Sequence, residues 1–128
     1  MTIDDYFAAV ERTLRQNSQV SQIAEPVTCL TSDDYNGLIR CRAFFWDDSY
    51  LDLHEVVSTE LGYPVRVNYA YTYVREGRQV FRYDNAPHHP EIVTHPHRKH
   101  IGLAERLAPA DQPSLGQILA EITDWLAT

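Results

Sequence analysis

Val65-Arg66-Val67-Asn68-Tyr69-Ala70-Tyr71-Thr72-Tyr73-Val74-Arg75 is followed by Glu76-Gly77 and then by Arg78-Gln79-Val80-Phe81-Arg82-Tyr83-Asp84. Two runs rich in β-branched and aromatic residues flank a two-residue turn signal. Such side chains suit a pleated, half-buried surface, and the turn glycine permits the positive φ that a tight hairpin needs. The stretch predicts an antiparallel hairpin in which Arg75 faces Arg78, Tyr73 faces Val80, Tyr71 faces Arg82 and Tyr69 faces Asp84. Alternation then puts Tyr69, Tyr71, Tyr73, Arg82 and Asp84 on one sheet face, with Ala70, Thr72, Val74, Phe81 and Tyr83 on the other. A slip of one residue inverts the assignment. The tyrosine stripe reads either as amphipathic core or as the floor of a polar pocket.

Outward from the hairpin, Val20 to Leu30, Leu38 to Trp46 and Tyr50 to Val57 read as further strands. The turn signals Asp33-Asp34-Tyr35-Asn36-Gly37, Asp47-Asp48 and Gly62-Tyr63-Pro64 leave connections too short for parallel crossovers, so the pairing is antiparallel. At the N-terminal end, Ile3, Tyr6, Phe7, Val10 and Leu14 recur at helical spacing behind a Thr2/Asp5 capping pair. From Pro113 to Leu126, Leu115, Ile118, Leu119, Ile122 and Trp125 form a second apolar stripe, with Pro113 suited to the first turn. The expected fold is α+β, an antiparallel meander of about five strands with an N-terminal and a C-terminal helix packed on the sheet, in a single domain over residues 1–128.

Composition narrows the class. With 44% hydrophobic and 23% charged residues the chain is an ordinary globular sequence, and no apolar run approaches the roughly 20 residues of a membrane helix. The start Met1-Thr2-Ile3-Asp4-Asp5-Tyr6 has neither the basic residues nor the apolar core of a secretion signal, so the expectation is a soluble, cytoplasmic protein without membrane contact. Cys29 and Cys41 lack CxxC spacing and read as reduced thiols. They oppose each other if the hairpin between them centres on Tyr35, whereas a turn at Asn36-Gly37 sets Cys29 against Phe44. The net charge of −7 is unevenly spread. Residues 75–106 hold six basic and four acidic side chains, and the remainder holds five basic and fourteen acidic. That polarity suits a basic functional face on an acidic body, or an acidic surface covered by a basic partner.

Five of the six histidines fall in His88-His89-Pro90-Glu91-Ile92-Val93-Thr94-His95-Pro96-His97-Arg98-Lys99-His100. Pro87, Pro90 and Pro96 exclude a continuous helix or central strand through them, so the cluster is expected on an irregular segment over the sheet. Histidine exchanges protons near neutral pH and binds transition metals as a neutral ring. Four readings follow. The histidines, with Asp84 or Glu55, bind zinc or another divalent metal, although no HExxH or comparable motif is present. Alternatively they cleave an RNA phosphodiester without metal. In that reading one histidine takes the 2′-hydroxyl proton and another protonates the leaving oxygen, while Arg82, Arg98 or Lys99 stabilises the phosphate and Tyr69 or Tyr71 stacks a base. The third is a non-enzymatic module that binds a phosphate-bearing ligand or a partner. A purely structural polar loop is the fourth, bland account, and His54 alone reads as structural; Glu55 either joins the site or pairs with Arg40.

These residues carry a resemblance. The chain resembles the TumE family of toxin components through Tyr6-Phe7-Ala8-Ala9-Val10-Glu11, Leu53-His54-Glu55-Val56-Val57, Tyr69-Ala70-Tyr71 and Pro113-Ser114-Leu115. Its most specific part is Phe81-Arg82-Tyr83-Asp84-Asn85-Ala86-Pro87-His88-His89-Pro90 with His95-Pro96-His97-Arg98-Lys99-His100. The chain departs from the family pattern at Asp48, where a glycine is expected, and at Thr72 and Arg98, where histidines are common. The resemblance implies a small cytoplasmic toxin with a helix-turn-helix antitoxin as partner. Combined with the residue reading, it gives a metal-independent endoribonuclease. Its catalytic candidates are His88, His89, His97, His100, Asp84 and Glu55, and its substrate-binding candidates are Arg82, Lys99, Arg98, Tyr71 and Tyr69. No cofactor is required in this reading, and RNA and a second copy of the chain are the other candidate partners.

Overall fold

The computed structural model describes residues 1–87, 89–102 and 106–128. Helix α1 (Ile3–Gln16) is followed by β1 (Val20–Ile23), β2 (Thr28–Thr31), β3 (Asn36–Phe45), β4 (Tyr50–Ser58), β5 (Val65–Arg75), β6 (Arg78–Asp84), β7 (Arg98–Ile101), β8 (Arg106–Pro109) and helix α2 (Leu115–Leu126). All strand pairs are antiparallel, in the order β1-β3-β4-β5-β6-β7-β8, with β2 pairing the other half of β3. The fold is α+β as expected, with eight strands among the described residues rather than about five. The run Val20 to Leu30 splits into β1 and β2 around Ala24 to Val27, where the cis Glu25–Pro26 bond lies. The other additions, β7 and β8, fall where an irregular segment was expected. Pro96 is the last proline of the histidine run, so a strand can start two residues later and His100 belongs to β7.

Both helix starts are capped as their sequences ask. Thr2 and Asp5 bond each other's backbone N–H groups, and Ser114 and Gln117 do the same for α2. Pro113 therefore lies one residue before the α2 cap rather than in its first turn, and its carbonyl accepts a 2.5 Å bond from Arg66 Nη1. The stripe of α2 ends on buried Leu126, while Trp125 points to solvent. Ile3, Phe7, Val10 and Leu14 of α1 and Ile118, Leu119, Ile122 and Leu126 of α2 join Ile39, Phe45, Leu51, Leu53, Val57, Tyr69, Tyr71, Tyr73 and Phe81 in one core. Gly37 lets α1 come close, since a Cβ there would stand 2.5 Å from the Leu30 carbonyl and 3.0 Å from Phe7. Both helices lie on one sheet face, tied by Tyr6 to Glu55 and by Glu121 to Lys99 and Tyr83.

The decisive local feature is a bulge in β6. The Glu76-Gly77 turn forms with both residues at positive φ (51° and 75°), and Arg75 faces Arg78 as predicted. Pairing then shifts: Val74 faces Gln79, but Tyr73 faces Phe81. Val80 is the extra residue, and its carbonyl accepts from Gly102 N at 2.9 Å in the β7–β8 connection. Beyond it Tyr71 faces Tyr83, Thr72 faces Arg82 and Ala70 faces Asp84. The predicted grouping is thus corrected. The tyrosines share the helix-covered face with Phe81 and Tyr83, whereas Arg82 and Asp84 stand with Thr72 and Ala70 on the other face.

The tyrosine stripe is amphipathic core with its hydroxyls paired, as buried phenols require. Tyr73 meets Ser49 Oγ at 2.9 Å, Tyr83 donates to Glu121 Oε1 at 2.6 Å, and Tyr71 donates to Glu55 while accepting from Arg66 Nη1 at 2.7 Å. Glu55 is only 1% exposed and also accepts from Tyr6 Oη at 2.5 Å. Burial, then the neighbouring Glu55, hold the phenols of Tyr6 and Tyr71 far above their ordinary range, so both remain donors. Glu55→Ala is expected to strand these donors and cost about 2–4 kcal/mol of folding stability, read from urea denaturation midpoints.

Candidate functional site

On the helix-free face, two cross-strand rows run side by side. One is Arg40, His54, Ala70, Asp84 and Arg98, and the other is Arg42, Asp52, Thr72, Arg82 and His100. Asp84 is the hub where they meet. Its side chain is buried, with Oδ1 2.8 Å from Arg98 Nη2 and 3.2 Å from Ala86 N, and Oδ2 3.0 Å from His100 Nε2 and 3.2 Å from Arg82 Nε. Arg98 is equally buried, its Nη1 also donating to the Ala86 carbonyl, so it fixes the carboxylate and the irregular chain rather than facing solvent. Arg82 remains 43% exposed. His100 Nε2 also lies 3.4 Å from Arg98 Nε, but the shorter, charge-assisted contact with the carboxylate is the stronger one. With Nε2 donating to Asp84, Nδ1 is the ring nitrogen left for proton exchange.

The other expected site residues are scattered. His97 lies on the opposite side of the sheet, stacked on Tyr69 with centroids 5.8 Å apart and Nδ1 2.9 Å from Tyr69 Oη. Burial pushes the Tyr69 phenol up to about 12 against the opposing influence of Arg66, so it stays protonated and can donate to that nitrogen. Lys99 also faces the helices: its Nζ is 2.7 Å from Glu121 Oε2 and 4.9 Å from the Tyr83 ring centre. Burial works against the ammonium, but Glu121 and Tyr83 outweigh it and raise its pKa. Glu55 pairs with neither Arg40 nor the histidines, because it faces Ile39 across the hairpin while Arg40 faces His54. Tyr69 and Tyr71 are fully enclosed and have no free ring face for a base. His89, at φ 60°, is exposed and paired with Glu91 at 3.2 Å. His88 lies outside the described residues. Among the described residues, no three His, Cys, Asp or Glu side chains converge as a metal-ligand set. Cys29 faces Ile39 and Cys41 faces Leu53, so neither predicted cysteine register occurs and both thiols are free.

Sequence reasoning missed the other half of this face. Ala70 and Thr72 are short, and the long side chains around them form the walls of a cleft of about 430 Å³ lined by Arg40, Arg42, His54, Asp52, Arg82 and Pro26. The polar residues alternate through β3 and β4, which was a legible signal, but without the β6 bulge nothing connected them to Arg82. Thr72 and Arg98, where the resemblance led to an expectation of histidine, both lie on this face. The Nε2 atom of His54 is buried and has no hydrogen-bond partner among the described residues. Burial and then the adjacent Arg40 and Arg82 lower the pKa of His54, favouring the neutral ring. The unfolded chain, with histidine near its ordinary value of about 6.5, binds more protons, so the folded state loses stability as pH falls below that value. His54→Gln is expected to flatten the dependence of the urea midpoint on pH between about pH 7.5 and 5.5, relative to wild type.

No helix of the described residues is long and apolar enough to cross a membrane. No curated protein and no solved structure matches the chain. A family model described as Toxin TumE matches residues 10–126, and the chain therefore belongs to the TumE toxin family, the toxin half of a toxin–antitoxin pair.

Proposed function

We propose that the protein is a metal-independent endoribonuclease whose reaction takes place on the helix-free sheet face. The observation that carries this reading is the Asp84-bonded His100 directly across the sheet from the solvent-facing guanidinium of Arg82. His100 takes the proton of an RNA 2′-hydroxyl, and Asp84 stabilises the imidazolium that results. The 2′-oxygen forms a bond to the adjacent phosphorus, the bond from phosphorus to the 5′-oxygen breaks, and that oxygen leaves with a proton from solvent. The products carry a 2′,3′-cyclic phosphate and a 5′-hydroxyl. Arg82 neutralises charge on the non-bridging oxygens, while buried Arg98 holds Asp84 in place. Lys99, Glu55, Tyr69, Tyr71 and His97 belong to the helix-covered side and serve the core in this reading.

The partner antitoxin is proposed to be a helix-turn-helix protein, and the shared compartment the cytoplasm, where RNA is available. The test is incubation of the purified protein with single-stranded RNA in the presence of a chelator, comparing wild type, His100→Ala and His89→Ala. Cleavage that survives chelation, persists in His89→Ala and falls in His100→Ala supports the reading. Equal cleavage by wild type and His100→Ala would overthrow the assignment, and RNA left intact by wild type would remove the activity itself.

A further inference from the structure

We infer that the cleft beside the reaction centre is a second phosphate-binding subsite, with Arg40 as its anion contact, that seats a single RNA strand away from the bond being cut. The inference rests on the proposed ribonuclease reading for the identity of the ligand, but its own support is separate.

Charge is the first support. In a chain of net charge −7, the cleft brings Arg40, Arg42 and Arg82 together. Two of these are committed: Arg42 grips Asp52 through Nε at 2.7 Å and Nη2 at 3.0 Å, and Arg82 bonds Asp84 at 3.2 Å. Asp84 in turn is shared with Arg98 at 2.8 Å. Arg40 is exposed and makes no ion pair among the described residues, so it supplies the uncompensated positive charge. His54, directly across from it, is biased to the neutral form and has a buried ring nitrogen with no partner among the described residues.

Shape is the second. Ala70 and Thr72 keep the floor low on the central strand, so the cleft runs across the strands from Arg82 on β6 to Arg40 on β3. His100 lies one strand further on β7. Neighbouring strands are about 4.8 Å apart, which puts His100 and Arg40 on strands roughly 19 Å from each other. A mononucleotide or free phosphate cannot bridge that span, whereas an extended oligonucleotide can place one phosphate at Arg82 and another at Arg40. The ligand class is therefore single-stranded RNA several nucleotides long.

The experiment uses the full chain carrying His100→Ala, so that the probe is not consumed, and a fluorescein-labelled decamer of uridylate read by anisotropy from about 50 to 300 mM salt. Releasing counterions from one single-strand phosphate contributes about 0.7 to the slope of log K against log salt. Adding Arg40→Ala is expected to weaken binding several-fold and to reduce the slope by about 0.7, while Arg40→Lys retains most of it. Arg12→Ala, an exposed change on α1, is the control and is expected to leave the slope unchanged. A decamer that fails to bind, or an Arg40→Ala slope equal to that of the control, overturns the inference. If wild type does not cut RNA yet the slope depends on Arg40, the cleavage proposal falls and the subsite stands. If RNA is cut through His100 but Arg40→Ala changes nothing, the reverse holds.

Discussion

Asp84→Asn is expected to lower the free energy of unfolding by about 3–5 kcal/mol, the largest stability effect of any single polar change on this face. The substitution keeps the side-chain volume and one acceptor, so the backbone contact with Ala86 N can survive. What it removes is the counter-charge of Arg98, whose side chain is only 4% exposed and cannot turn to water. A buried guanidinium that loses a close carboxylate loses much of the attraction that offset its desolvation. His100 and Arg82 lose their common acceptor in the same step. In a domain of this size the loss corresponds to a fall in Tm of roughly 10–20 °C. Combining it with Arg98→Met removes the guanidinium that the carboxylate had served, so the double variant is expected to be destabilised by less than the sum of the two single changes. A double-mutant cycle from urea midpoints measures the difference, and strict additivity would mean that the pair is not coupled.

His100→Ala is expected to lower kcat for RNA cleavage by about 10²–10⁴-fold, the range usual for loss of a general acid–base group. KM should change far less, because Arg82 and the adjoining cleft are left in place. The fold should be nearly unaffected, since Asp84 keeps its bonds to Arg98, Arg82 and Ala86 N. Single-turnover cleavage of a labelled RNA separates the two parameters. A loss of less than about threefold, with the urea midpoint unchanged, would show that His100 is not the group that moves the proton.

Much of the fold could be read directly from the chain. The stripes of α1 and α2 and the Glu76-Gly77 turn announce themselves through spacing and turn chemistry that act within a few residues. Strands β7 and β8 were hidden because each is four residues long and lies in or beside a proline-rich segment, where neighbouring strands rather than propensity decide the structure. The site was half legible. Asp84, Arg82 and His100 were identified by residue type, and their association follows from β6–β7 pairing. The assignment of faces failed at one residue, Val80, because a bulge depends on the Gly102 contact made by the following strand pair and leaves little mark in the local pattern. Sequence proximity also overstated the unity of the histidine run: consecutive strand residues point to opposite faces, so His100 and Lys99 cannot serve one pocket. Asp48 shows the converse. It holds φ 67° in the hairpin between β3 and β4, a conformation that glycine adopts freely, which gives a physical reason for the glycine that the resemblance leads one to expect there.

The Val80 bulge gives the Asp84 face a parity. Everything beyond Val80 in β6 is one count out of step with β5, and while Val80 is present the placing of Arg82 and Asp84 away from the helices depends on that odd count. Losing Val80 alone would remove the bulge and leave Phe81 opposite Tyr73 and Arg82 opposite Thr72, with every facing kept. Losing Gln79 and Val80 together would set Phe81 opposite Val74, turning Phe81 and Tyr83 outward and Arg82 and Asp84 toward the helices. The facing of the β6 side chains therefore survives loss of the bulge residue but not loss of its neighbour as well.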